Sequence, residues 1–295
     1  MRNTLLALTM VFGLSLSPVP GHAAPLAPQV VHVRDQLRHA SLDDAVEAAD
    51  EVIETLPQDA NAWMWAGRVY GRQAQEANIL TKAKWAGRCR DAFEKAVELD
   101  PNLIEARFDL MQFYLLAPGI MGGGRDKANA QAAAIAAIDP ASGQIAAGSL
   151  ALQDKDEVKA EQLFRDALAG NPAHVRALFA LNSFLQNKKR FDEAWAVWNA
   201  ALAEAEVQAM ARYQLGRLAA ITGQHVEEGL THLDAFIAAG IVPEQLTLAA
   251  AHWRRGLLLD KLGRREDAIA ALQLALNDRD IGEQAQADLN RIRKG

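Results

Sequence analysis

Small and large apolar residues recur along this chain at helical intervals, with polar residues between them. Ala160, Phe164 and Ala167 fall on one face of a helix, being four and three residues apart. The same triplet returns 34 residues later as Ala194, Trp198 and Ala201, and near the end as Ala268, Leu272 and Ala275. Between such segments Pro57, Pro101, Pro140 and Pro172 each follow an apolar run, at spacings of 44, 39 and 32 residues. A proline there stops one helix and opens the turn to the next. The pattern predicts an all-α chain of short amphipathic helices with an internal repeat of about 34 residues.

First helices supply the other half of the repeat. Trp63, Gly67 and Tyr70 precede Phe93, Ala96 and Pro101; Leu215-Gly216 lies in a later unit, and Gly256, Gly263 and Ala268 in the last. This arrangement resembles the tetratricopeptide repeat over residues 26 to 280. The resemblance implies an α-solenoid of about seven helix pairs, with first helices lining a concave surface. Gly67, Gly148, Gly216 and Gly256 are expected where two helices of a pair cross closely. Phe93, Phe164 and Trp198 are expected to plug the gap to the next pair. The charged stretch from Ile281 to Ile292 reads as a C-terminal cap helix.

Two stretches exceed the repeat. Residues 73–87 add about ten positions, among them Ile79, Leu80 and Trp85. Residues 117–126 run Ala-Pro-Gly-Ile-Met-Gly-Gly-Gly-Arg-Asp. Both are expected as inserted loops that either cover one end of the concave surface or pack on the neighbouring ridge. Paired insertions of this kind are similar to those of exported bacterial tetratricopeptide proteins, a likeness that implies no activity.

Composition narrows the function. Half of the 295 residues are hydrophobic, enough for a core, and the net charge of -6 gives no global reason for nucleic-acid binding. A single cysteine, Cys89, excludes an intrachain disulfide. Arg2, the apolar run Leu5–Leu16 and the small residues of Gly21-His22-Ala23 have the layout of a secretory signal peptide. The expectation is therefore a signal peptide at 1–23, cleaved near Ala23, and a repeat domain at 24–295. The run is too short for a span of about 20 residues. That points to a periplasmic protein with no membrane span.

No motif carries catalytic chemistry. Gly122-Gly123-Gly124-Arg125-Asp126-Lys127 invites a phosphate-loop reading, but it lacks the Gly-Lys-Ser/Thr ending and a preceding strand. His225, His232 and His252 show no metal-ligand spacing. Cys89 stands at the small-residue position of a second helix, a packing place. Asp43, Asp44, Glu193, Glu227, Glu228, Glu266 and Asp267 open second helices, where they complement the helix dipole. The chain is read as no enzyme, with no cofactor and no metal.

Taking the small residue of each first helix as reference, the position three before it gives Val30, Met64, Phe108, Ile145, Phe179, Tyr213 and Trp253. The position one after it includes Arg34, Arg68, Gln112 and Arg217. Over the whole stripe the cations are Arg34, Arg38, Arg68, Arg72, Arg176, Arg217 and Lys261, against Glu105 and Asp260. A basic, aromatic-lined inner face suits an extended or acidic peptide. The expected partner-binding residues are Arg34, Arg38, Met64, Arg68, Arg72, Phe108, Gln112, Phe179, Tyr213, Arg217 and Trp253. The leading function is a protein–protein interaction scaffold; the alternative is a small-molecule binder or envelope-assembly factor using the inserted loops. Packing of the ladder and pairing of the arginines with second-helix acids would also account for the stripe.

Overall fold

The computed structural model describes residues 25–240, 242–243 and 246–294. The expected leader at 1–23 lies outside them. Among the described residues there are fifteen α-helices, one 3₁₀ turn and no strand. The chain divides into two compact units, split between Gly124 and Arg125.

The first unit holds α1 (Pro28–His39), α2 (Leu42–Thr55), α3 (Ala60–Glu76), α4 (Ile79–Leu99), α5 (Ile104–Leu116) and a 3₁₀ turn at Gly119–Met121. The second holds α6 (Arg125–Ile138), α7 (Pro140–Gln153), α8 (Glu157–Gly170), α9 (Val175–Asn187) and α10 (Phe191–Ala201). It continues with α11 (Gln208–Thr222), α12 (Val226–Ala239), α13 (Leu248–Lys261), α14 (Arg265–Gln273) and α15 (Gly282–Lys294). Along the chain this is seven helix pairs and a terminal helix.

Local chemistry places the helix starts. Ser41 accepts the Asp44 amide at α2, Asp59 accepts the Asn61 and Ala62 amides at α3, and Asp139 accepts the Ser142 amide at α7. Acidic first turns recur at α2, α10, α12 and α14, as the sequence predicts. Within each unit consecutive helices pack on one another. First helices also touch the next first helix: α1 with α3 and α3 with α5 in one unit, α7 with α9, α11 with α13 and α13 with α15 in the other. Among the described residues second helices share no such backbone proximity and meet through side chains, as Arg165 of α8 meets Glu193 of α10. Within each unit the first helices therefore form a ridge, the inner ridge of a repeat stack, broken between α9 and α11, which do not touch.

Close crossing explains the glycine of the first helix. A Cβ at Gly216 would lie 2.2 Å from Leu233 Cγ of the partner helix, and one at Gly148 would lie 2.4 Å from the Phe164 ring. Phe164 does two jobs, since its ring also meets Phe184 of α9 at 6.3 Å. Phe93, Phe164 and Trp198 are buried, as are Ala285, Leu289 and Ile292 of the cap helix.

The first insertion is not a loop. Its residues lengthen both helices of the second pair, leaving only Ala77 and Asn78 between them, and Asn78 caps α4 through the Leu80 and Thr81 amides. Helix α4 has 21 residues against 14 in α2. At 1.5 Å per residue its excess is about 10 Å. Trp85 packs on Tyr70, with ring centroids 6.0 Å apart.

The second insertion is a 3₁₀ turn followed by Gly122 at φ +92°. Its glycine amides are spent internally. Gly122 N–H donates to Gly119 O, Gly123 N–H to Pro118 O, and Gly124 N–H to Tyr114 O of α5. Amides committed to closing a turn are not directed at a phosphate, so this segment does not form a phosphate loop.

Candidate functional site

The inner ridge displays the predicted binding residues in two different states. In the first unit Met64 and Phe108 are buried, at 4% and 6% exposure. Val30 is buried too, so the apolar ladder there is packing between adjacent first helices. Arg68 pairs with Asp109 of α5 at 2.6 Å and lies 4.5 Å over the Trp65 ring. Arg72 pairs with Glu76 one turn on at 2.6 Å, and Arg34 meets Asp35 at 3.2 Å. The partnering acids stand on first helices, not on second helices. Arg38 stands in the last turn of α1, and Gln112 is half-buried on α5.

In the second unit the ladder differs along its length. Ile145 and Tyr213 are buried, whereas Phe179 and Trp253 keep part of their surface. Phe179 meets Trp198 edge to face at 5.2 Å, Tyr213 meets Phe236 at 5.5 Å, and Trp253 Nε1 donates to Asp288 of the cap helix at 2.9 Å. Arg217 stands one turn beyond Tyr213 on α11. A further residue joins it. Arg254 of α13 places its guanidinium 5.1 Å from the Tyr213 ring and 5.1 Å from the Trp253 ring, and donates to Ala250 O at 3.1 Å.

Both guanidiniums are half-buried, and among the described residues neither forms an ion pair with a carboxylate. Burial depresses the pKa of each. For Arg254 the charge of Arg217 adds to that effect, and the buried Tyr213 hydroxyl partly offsets it in both cases. The Tyr213 hydroxyl is itself pushed up by burial, against the pull of both arginines and with a further push from Asp278. Asp278 is engaged elsewhere, accepting the amides of Asp280 and Ile281 ahead of α15. Two partly desolvated cations without counter-ions favour any anion that reaches them.

Arg254 escaped the stripe because it stands two positions before Gly256, a register position the prediction omitted. Asp109 and Trp65 hold the equivalent places in their helices. The signal was available as a charged or aromatic residue at that place in α3, α5 and α13.

Other clusters resolve into structural roles. Ser142, His174 and Asp139 have the residue types of a hydrolytic triad, but their wiring is different. His174 Nδ1 accepts the Ala177 amide at 3.2 Å, which leaves the proton on Nε2. That nitrogen faces both Asp139 (3.1 Å) and Ser142 Oγ (3.4 Å), and Ser142 is 1% exposed. A general base needs a free ring nitrogen on the nucleophile, and here the ring caps a helix instead. Cys89 is buried against Gly71, and burial raises its thiol pKa strongly. His225 stacks on Trp195 at 4.3 Å and pairs with Glu228 at 3.0 Å. Among the described residues no group of three His, Cys, Asp or Glu could hold a metal. Among them, too, no helix is long and apolar enough to cross a membrane. A cleft of about 510 Å³ between α8, α9 and α10 is walled by Leu168, Ala169, Ala196 and Val197. Its two charged members, Arg165 and Glu193, pair with each other at 3.0 Å.

The tetratricopeptide repeat family matches residues 249–277, which are α13 and α14 with the turn between them. No curated protein matches the sequence. Among solved structures, the chain is similar to a tetratricopeptide repeat protein from Parabacteroides merdae, with 16% identity, TM-score 0.45, and coverage of 90% of this chain and 97% of that one. It is also similar to the APC/C hetero-tetramer Cut9–Hcn1, with 16% identity and TM-score 0.44, where 90% of this chain spans 48% of the other. Residues 249–277 thus match a tetratricopeptide repeat, and both units are built of consecutive helices packed in the same pairwise way.

Proposed function

We propose that this chain is a protein-binding scaffold whose second unit receives an acidic segment of a partner protein on its inner ridge. The observation that carries the reading is the pair Arg217 and Arg254, half-buried beside the Tyr213 hydroxyl and without a carboxylate partner among the described residues. A carboxylate arriving there gains charge-assisted hydrogen bonds from two donors whose desolvation has already occurred in folding. Trp253 and Phe179 keep exposed ring surface for neighbouring apolar side chains. The reading is of a binder and not of a catalyst, since the Ser142–His174–Asp139 group is committed to capping.

The arginine-rich stretch of the first unit supports a lesser role. Its cations at Arg34, Arg68 and Arg72 already hold carboxylates, and an incoming acid would have to displace them. We also propose that the protein acts in the periplasm, on the strength of the leader pattern at 1–23; a secreted form with Met1 intact by mass spectrometry would refute this.

An array of acidic peptides, each with a free or an amidated C-terminus, tests the site by fluorescence anisotropy. Binding should depend on peptide carboxylates, fall with salt, and drop at least ~100-fold in Arg217→Ala/Arg254→Ala. Binding that survives the double substitution would remove the site.

A further inference from the structure

We propose that one edge of the first unit, made by the α3–α4 turn and the 3₁₀ turn after α5, rests on an anionic lipid surface. Turns from a first helix to its second helix share one edge of a repeat stack, so both insertions fall on it. The α3–α4 tip projects because α4 carries seven residues more than α2. At that tip Ile79 and Leu80 are 88% and 87% exposed, and Ile120 on the 3₁₀ turn is 95% exposed. These are the three most exposed large apolar side chains of the described residues.

Charge identifies the surface. From Ala77 to Arg90 the sequence has Lys82, Lys84, Arg88 and Arg90 and no carboxylate, in a chain of net charge -6. Arg88 pairs with Asp50 and Arg90 with Asp91, which leaves Lys82 and Lys84 exposed and, among the described residues, without an acidic partner. Lys84 lies 5.7 Å over the half-buried Trp85 ring. Isolated projecting side chains give a protein partner little shape to match, since interfaces form between contiguous packed patches. They suit immersion in a soft interface, where apolar tips enter the acyl boundary and lysines stay at the headgroups. The inference is independent of the peptide site, which lies in the other unit and has its own readout.

The test uses the full chain with a fluorophore sensitive to polarity on a single introduced thiol. The native Cys89 is buried and stays unlabelled. Labels at Leu80→Cys and Ile120→Cys should shift to the blue on vesicles containing phosphatidylglycerol and stay unchanged on pure phosphatidylcholine. A label at Asn102→Cys, in the turn between second and first helices, should stay unchanged on both. Lys82→Glu/Lys84→Glu should lower association at least ~tenfold, and added salt should do the same. Ile79→Asp together with an unmodified peptide-binding curve would separate loss of the lipid edge from loss of fold. A chain that pellets with vesicles while the labels at 80 and 120 remain water-exposed would overturn the proposal. So would a blue shift that grows with protein concentration in the absence of lipid, which would mean a second copy occupies the edge.

Discussion

The two units carry inner ridges of similar composition and opposite electrostatic condition. In the first, Arg68 and Asp109 meet at 2.6 Å with side chains 15% and 18% exposed, and Arg34 and Arg72 have acids on their own helices. In the second, Arg217 and Arg254 share Tyr213 and, among the described residues, no carboxylate. The difference teaches that a count of cations on a face says little about its potential. What matters is which charges the fold has already neutralised, because a satisfied pair in a half-buried place has little left to offer a ligand.

Breaking the second ridge outright should have the largest effect. Gly216→Leu drives a side chain into Leu233, and overpacking of this kind costs about 1–3 kcal/mol or more. Thermal denaturation should show a Tm lowered by several degrees, with peptide binding lost; an unchanged Tm would refute the close crossing. A smaller loss is expected in the first ridge. Arg68→Ala removes the part-buried ion pair with Asp109, at a cost of about 1–3 kcal/mol in urea denaturation, with peptide binding nearly unaltered. If binding fell as far as in the Arg217→Ala/Arg254→Ala protein, the contrast between the units would fail.

Two finer measurements sharpen it. Arg217→Met/Arg254→Met removes two uncompensated cations while keeping most of the apolar stem, and the free protein should become more stable by about 0.5–1 kcal/mol. Stabilisation on losing a charge is the opposite of the Arg68 result. The smallest effect concerns acid. Burial lowers the pKa of His232 and of His252, with Arg212 and Arg255 respectively adding to the effect. The folded state therefore binds protons less readily than the unfolded chain. Stability from these groups is present above the ordinary histidine pKa and is lost as pH falls through the lowered one. Melting at pH 7.5 and 5.5 should show a modest drop, reduced in His232→Gln/His252→Gln.

Much of the fold was legible in the sequence. The triplet at Ala160, Phe164 and Ala167 and its two returns mark second helices, and Gly148 and Gly216 mark the crossings, because a close approach admits no Cβ. Of the insertions the sequence told only the location. The extra residues between Gln73 and Gly87 read as an inserted loop, and the Asn78 cap in their midst makes them longer helices instead. Within the site, Tyr213 and Arg217 were readable from register, while Arg254 was hidden by a stripe drawn one position too narrow.

The sequence by itself determined the helices, their pairing and the cap helix, since 3.6-residue periodicity, glycine crossings and capping residues all act within one repeat. Only the tertiary structure decided which charges cancel. Arg68 and Asp109 are 41 residues apart in sequence, and Arg254 reaches Tyr213 from the neighbouring first helix. Such contacts depend on side-chain reach between repeats, which no local pattern encodes.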